Sequence, residues 1–247
     1  MSDVADLSPA RFAALAAPAI ERLFASGMRA ARDDGRELVM SYGGPHAVGV
    51  VIDLRSPLAA GRTVGEDVVS GLFRHQDPQA VWKSLQRAAD NGLLEPGDGG
   101  GYALTERGSA FLTELYAQHA TVLGELWEAD HADRVQRTAA LAGRLVHAAA
   151  ATGGPAWNVL APPHEPPDAT PGVLLLDRLA ALRAHRADAR EAARQSAGLT
   201  AEQAAAVRGG PEHEEVEDEA NERAGAPYAA IDAEDRLTLL ADLAALP

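Results

Sequence analysis

Between Asp77 and Gly108 the chain changes its hydrophobic period twice, and the resulting order of elements restricts the fold more than any other segment. Asp77-Pro78 supplies a capping carboxylate and a first-turn proline. After it Val81, Leu85 and Ala88 fall on one helical face, and Gln79, Lys83, Gln86, Arg87 and Asp90 on the other. Asn91-Gly92 is a stop signal. Leu93-Leu94 then reads as a short apolar strand, PGDGGG (96–101) as a turn, and 102–104 as a second strand. Thr-Glu-Arg-Gly at 105–108 opens another helix.

Helix, two-stranded wing and following helix predict a winged helix-turn-helix. The segment resembles the MarR-like winged-helix proteins through Leu85, Gly92, Leu93, Leu94, Tyr102, Leu104, Thr105 and Gly108. In that fold the third helix enters the major groove and the wing reaches the backbone or minor groove. Gln79, Lys83, Gln86 and Arg87 are therefore the expected DNA-binding residues: Gln and Lys suit base edges, and arginine suits a phosphate or guanine. The family usually carries Asp-x-Arg in the wing, and this wing has no base. Over 62–108 five bases (Arg62, Arg74, Lys83, Arg87, Arg107) face seven acids. Nonspecific affinity grows with the number of phosphates neutralised, so weak binding is expected of a monomer. The alternative is a winged helix kept as a scaffold for dimerisation or packing. Small-molecule O-methyltransferases also begin with such a scaffold, but no glycine-rich strand-turn-helix for their cofactor follows residue 110.

The 247 residues allow one large or two small domains. Aromatic residues are 4% of the chain, and the apolar set is rich in alanine and leucine, which predicts a mostly α protein. The formal charge of −14 removes any chain-wide basic footprint for nucleic acid. Without cysteine there are no disulfides, thiolate metal sites or cysteine nucleophiles. No apolar run suits a membrane span, and no basic-then-apolar leader opens the chain. A cytoplasmic protein with no membrane partner is expected.

Ser8-Pro9 starts a helix to about Arg32. Residues 47–54 (AVGVVIDL) read equally as strand or buried helix, and the winged-helix order favours a helix. A helix is expected over 63–75, and a long one from Gly108, where Leu112, Leu115, His119, Val122 and Leu126 form a seam for packing or dimerisation. Another should span 132–151. The stretch 153–172 holds six prolines and reads as linker or crossover. Thr170-Pro171 restarts a helix to about Ala197, Gly198-Leu199-Thr200 caps a short one, Pro211 opens an acidic one, and Asp232 caps the last. The expected division is a helical segment (1–44), a winged-helix domain with its long following helix (45–130) and a helical domain (131–247).

The C-terminal half resembles a poorly characterised actinobacterial group with "HRADxH" and "PYA" signatures, matched at His185, Arg186, Ala187, Asp188, Glu219, Asn221, Pro227 and Tyr228. Arg190 stands where that group has a second histidine. His185 and Asp188 share a helix face but make only half a metal site, so an interhelix contact is the plainer expectation. Arg183, Arg186, Arg190 and Arg194 form a stripe that could hold an anion or pair with the acidic run 212–222. Trp157 beside the proline-rich crossover could plug the core or line a pocket. Phosphate loops, nucleophile elbows and dinucleotide fingerprints are absent.

The expectation is thus a mostly α homodimer with a winged helix and a small β-wing, acting as a DNA-binding regulator. The competing expectation is a small-molecule binding protein or enzyme, with Trp157, His185, Asp188, Arg190 and Tyr228 as ligand-binding residues. No catalytic set, metal or cofactor is assigned.

Overall fold

The computed structural model describes residues 7–200, 202–203 and 209–247. Among them the protein is mostly helical, with one two-stranded antiparallel sheet. Helix α1 (Pro9–Asp34) begins at its predicted cap, where Ser8 Oγ accepts the Arg11 N–H at 3.3 Å. A short α2 (Arg36–Ser41) follows. The ambiguous segment is a helix, α3 (Pro45–Asp53), with Val48 and Val51 fully buried. It packs against α6 (Pro78–Asp90), and that burial outweighs the strand preference of its valines.

After α4 (Arg55–Ala59) the predicted helix over 63–75 shortens to α5 (Glu66–Leu72). Thr63 and Val64 leave it because Val64 pairs with Tyr102 instead, through N–H···O bonds of 2.8 and 2.9 Å. Helix α6 is capped by Asp77, whose Oδ1 accepts the Gln79 N–H at 3.0 Å. Gly92 follows at φ +72°, a conformation open to glycine, and turns the chain into β1 (Leu94–Pro96). Strand β2 (Tyr102–Leu104) returns with Leu104 opposite Leu94. Thr105 then caps α7 (Glu106–Leu123), its Oγ1 accepting the Gly108 N–H at 3.0 Å.

A π-helical turn (Gly124–Glu128) joins α7 directly to α8 (Ala129–Ala149). The proline-rich crossover is not wholly irregular, since it contains α9 (Pro155–Leu160). Helix α10 (Pro171–Ser196) starts at Thr170 as predicted. Thr200 and Gln203 form a reciprocal capping box, with bonds of 2.8 and 3.1 Å. The short helix expected there lies largely outside the described residues. Helix α11 (Pro211–Gly225), a 3-10 turn (Ala226–Ala230) and α12 (Ala233–Ala245) complete the fold. No helix among the described residues is long and apolar enough to cross a membrane.

Two apolar clusters meet partway along α7. The first gathers Val48, Leu54, Leu85, Leu93, Phe111 and Leu115 from α3–α7 and the hairpin. The second joins α1 to the C-terminal helices through Phe12, Leu23, Trp127, Leu145 and Leu175. Helix α9 serves both, with Trp157 in the second cluster and Val159 in the first. The α7 seam also divides between them. Leu112, Leu115, His119 and Val122 are buried, and Leu126 packs against the second cluster. The seam is therefore spent inside this chain, which removes it as a dimer surface. Its period could not tell the two uses apart, because packing within a chain and between chains demands the same spacing.

Candidate functional site

The polar face of α6 is open. Gln79, Lys83, Gln86 and Arg87 are all exposed, while Val81, Leu85 and Ala88 hold the opposite face in the core. Gln86 is partly committed: its Oε1 accepts the Tyr102 hydroxyl and its Nε2 donates to Asp90, both at 2.8 Å. That bond keys the hairpin to α6, together with Trp82 tilted against Tyr102 at 6.3 Å. The five bases counted over 62–108 are not equally available. Arg62 donates to the carbonyls of Asn158 and Val159, and Arg107 reaches the Ser41 carbonyl and lies over the Tyr42 ring. Arg74 pairs with Asp188. Only Lys83 and Arg87 remain without an ion pair or hydrogen-bond partner from their side chains among the described residues.

The second place is a cleft of about 650 Å³ where the two apolar clusters join. Ser70 and Arg74 approach from α5 and the turn after it, Thr152 to Pro155 from the start of the crossover, and His185 to Gln195 from α10. Its lining is mostly apolar. Asp188 organises this corner. Its Oδ1 accepts the Ala156 N–H at 3.2 Å and the Arg74 guanidinium, and its Oδ2 accepts the Trp157 N–H at 2.8 Å. One carboxylate thus ties α9, α10 and the segment after α5 together. Gly154 is required beside it, since a Cβ there would come within 2.8 Å of Asp188.

His185 lies at the floor of the cleft, with Nε2 2.9 Å from Thr152 Oγ1 and its ring edge-on to Trp157 at 5.7 Å. Burial lowers its pKa, against the opposing pull of Asp188, so the ring is neutral at pH 7. Trp157 is itself only 4% exposed and works as a core plug behind the histidine.

Of the ligand candidates from sequence, Trp157, His185 and Asp188 come together. Arg190 does not, because it points out of the cleft toward Glu217 on α11, at 3.0 Å. Tyr228 is buried on the other side of α10, beside a void of only 20 Å³ that it shares with Arg186. The arginine stripe is divided among partners. Arg186 and Arg190 meet Glu217 as the acidic run suggested, Arg183 meets Glu21 over the Phe24 ring, and Arg194 meets Glu191 on its own helix. Arg74 was missed as a partner of Asp188. No local signal could have paired residues 114 positions apart. Among the described residues no group of three or more His, Asp or Glu side chains is placed to hold a metal.

Replacing Asp188 with asparagine is expected to cost about 2 kcal/mol. Arg74 loses its countercharge, and an amide group is set against two backbone donors. Urea denaturation reads the loss directly. A variant as stable as the parent would remove Asp188 from its organising role.

No family model, curated protein or solved structure matches the chain.

Proposed function

We propose that the protein is a sequence-reading DNA-binding regulator in which the segment 45–108 acts as a winged helix and α6 enters the major groove. The observation that carries this reading is the uncovered polar face of α6, where the Lys83 and Arg87 side chains have no partner among the described residues beside an exposed Gln79. Arg87 suits a guanine or phosphate, and Gln79 sits at the helix N-terminus, the end that meets base edges in helix-turn-helix docking. The hairpin, whose turn carries no base, contributes shape rather than charge.

The internal use of Arg62, Arg74 and Arg107 sets the scale. Two available cations per protomer predict a slope of about −2 in log K against log salt for each bound protomer. Fluorescence anisotropy on a duplex from upstream of the gene, run from low to moderate salt, measures it. Lys83→Ala/Arg87→Ala should lose at least about tenfold in affinity and flatten the slope. Absence of binding at the lowest salt, or a double variant that binds like the parent, would sink the proposal.

A second reading draws on the cleft: a small-molecule binding protein in which the winged helix is scaffold. It is favoured by the convergence of His185, Thr152 and Asp188 on one mostly apolar cavity. The two readings are compatible. Arg74 lies between α5 and α6, so a ligand that prefers one arrangement of the Arg74–Asp188 contact biases where α6 sits.

A further inference from the structure

Every charge that lines the cleft already has a partner. Arg74 is held by Asp188, Glu191 by Arg194, and Arg223 by Glu219. The four lining charges cancel, two positive against two negative. A charged ligand would give up its hydration in a cleft whose arginines are already neutralised, and an anion would also face the Asp188 and Glu191 carboxylates. The walls between the charges are Pro155, Ala189, Ala192 and Ala226, side chains too small to fill the space. A volume of this size with few convergent polar groups is the usual form of a small-molecule site.

The uncharged polar groups are few. Ser70 Oγ donates to the Asp67 carbonyl, and Gln195 donates to Glu191. The Thr152–His185 pair is different. Each hydroxyl and neutral imidazole can both donate and accept, and their mutual bond uses one capacity of each. The Thr152 hydroxyl therefore keeps an acceptor lone pair for a guest.

We propose that this cleft binds a neutral, largely apolar small molecule carrying one hydroxyl group, read by the Thr152–His185 pair. The apolar body lies on Pro155, Ala189 and Ala192, and the polar group joins the hydroxyl–imidazole bond. The site goes beyond DNA recognition, and its test uses the free protein, so its failure is separate from a failure to bind DNA.

Isothermal titration of the full-length protein with 2-naphthol, neutral at pH 7, and with 2-naphthoate, an anion of similar size, tests it. Naphthol should bind at one site with a Kd on the order of 10⁻⁴ M, as expected for a ligand of that size. Naphthoate should bind at least about tenfold more weakly, since its charge loses hydration beside arginines already neutralised by Asp188 and Glu219 and faces two carboxylates. Ala192→Phe fills the cavity and should abolish naphthol binding, with helical circular dichroism as the check on folding. Thr152→Val keeps the shape and removes the hydroxyl. It should weaken naphthol about threefold to tenfold, the range of one hydrogen bond, and leave naphthalene binding unchanged. No saturable naphthol binding, naphthoate binding as tight as naphthol, or naphthol binding indifferent to both variants each overturns the proposal.

Discussion

Asp177→Leu alone is expected to destabilise the protein by about 3–5 kcal/mol, and Arg55→Met/Asp177→Leu together to restore most of that loss. Arg55 of α4 and Asp177 of α10 form an ion pair in which both side chains are almost fully buried, 6% and 4% exposed. Arg55 Nε lies 3.1 Å from Asp177 Oδ1, its Nη2 reaches the same oxygen, and its Nη1 donates to the Ile52 carbonyl at 3.1 Å. The pair spans the junction of the two apolar clusters. Burial works against the Arg55 charge, and Asp177, together with Tyr116 and Asp53, more than restores it. The satisfaction is incomplete. Asp177 Oδ2 and the nearby Tyr116 hydroxyl are both buried without a hydrogen-bond partner of good geometry. Burial, and then Asp177 itself, hold that hydroxyl protonated.

Removing one ion strands the other in a site with little water, which is the costly outcome. Removing both replaces a half-satisfied polar pair with two side chains of similar bulk, which is often neutral or stabilising. Guanidinium denaturation of the two single variants and the double variant gives the coupling. Additive losses would mean that the pair contributes no more than its packing.

Such a junction was out of reach of sequence. The parts that were legible are those in which local chemistry decides. Ser8-Pro9, Asp77-Pro78, Thr105, Thr170 and Asp232 cap helices where they were expected to, because a side-chain oxygen and a free N–H are only a few residues apart. The hairpin followed from the glycine turn and the short apolar runs. Legibility failed where the deciding contact is remote. Residues 47–54 gave no periodicity to choose between helix and strand. Val64 left its helix for Tyr102, which is distant in sequence. Arg74 and Arg62 counted as surface cations, yet one is bound to Asp188 and the other to backbone carbonyls of α9. His185 and Asp188 could be placed on one face from their spacing alone. That Asp188 would serve a helix end and an arginine, while His185 faces a cleft, depended on segments more than thirty residues away.

His119 is expected to make the protein acid-labile, and its replacement should show by how much. The side chain is 2% exposed on α7, edge-on to Tyr116, with Nδ1 lacking a partner. Burial and then the charge of Arg55 lower its pKa from 6.5 to about 3. The native state therefore holds the ring neutral over a range in which the unfolded chain protonates it. Between those two values the unfolded state binds more protons, so stability rises with pH. The contribution is fully present above about pH 6.5 and is lost as pH falls toward 3, by about 3 kcal/mol between pH 7 and pH 4. His119→Leu removes the titrating group and an unsatisfied buried nitrogen together. Its stability should match or exceed that of the parent at pH 7, and the gap should widen by about 3 kcal/mol at pH 4. Asp53, whose carboxylate loses hydration among its neighbours although the residue reaches the surface, has a raised pKa and tilts the opposite way at the acid end of the range. It is present in both proteins, so the difference between their pH profiles isolates the histidine. Parallel profiles from pH 7 to pH 4 would mean that protons reach the His119 ring in the native fold.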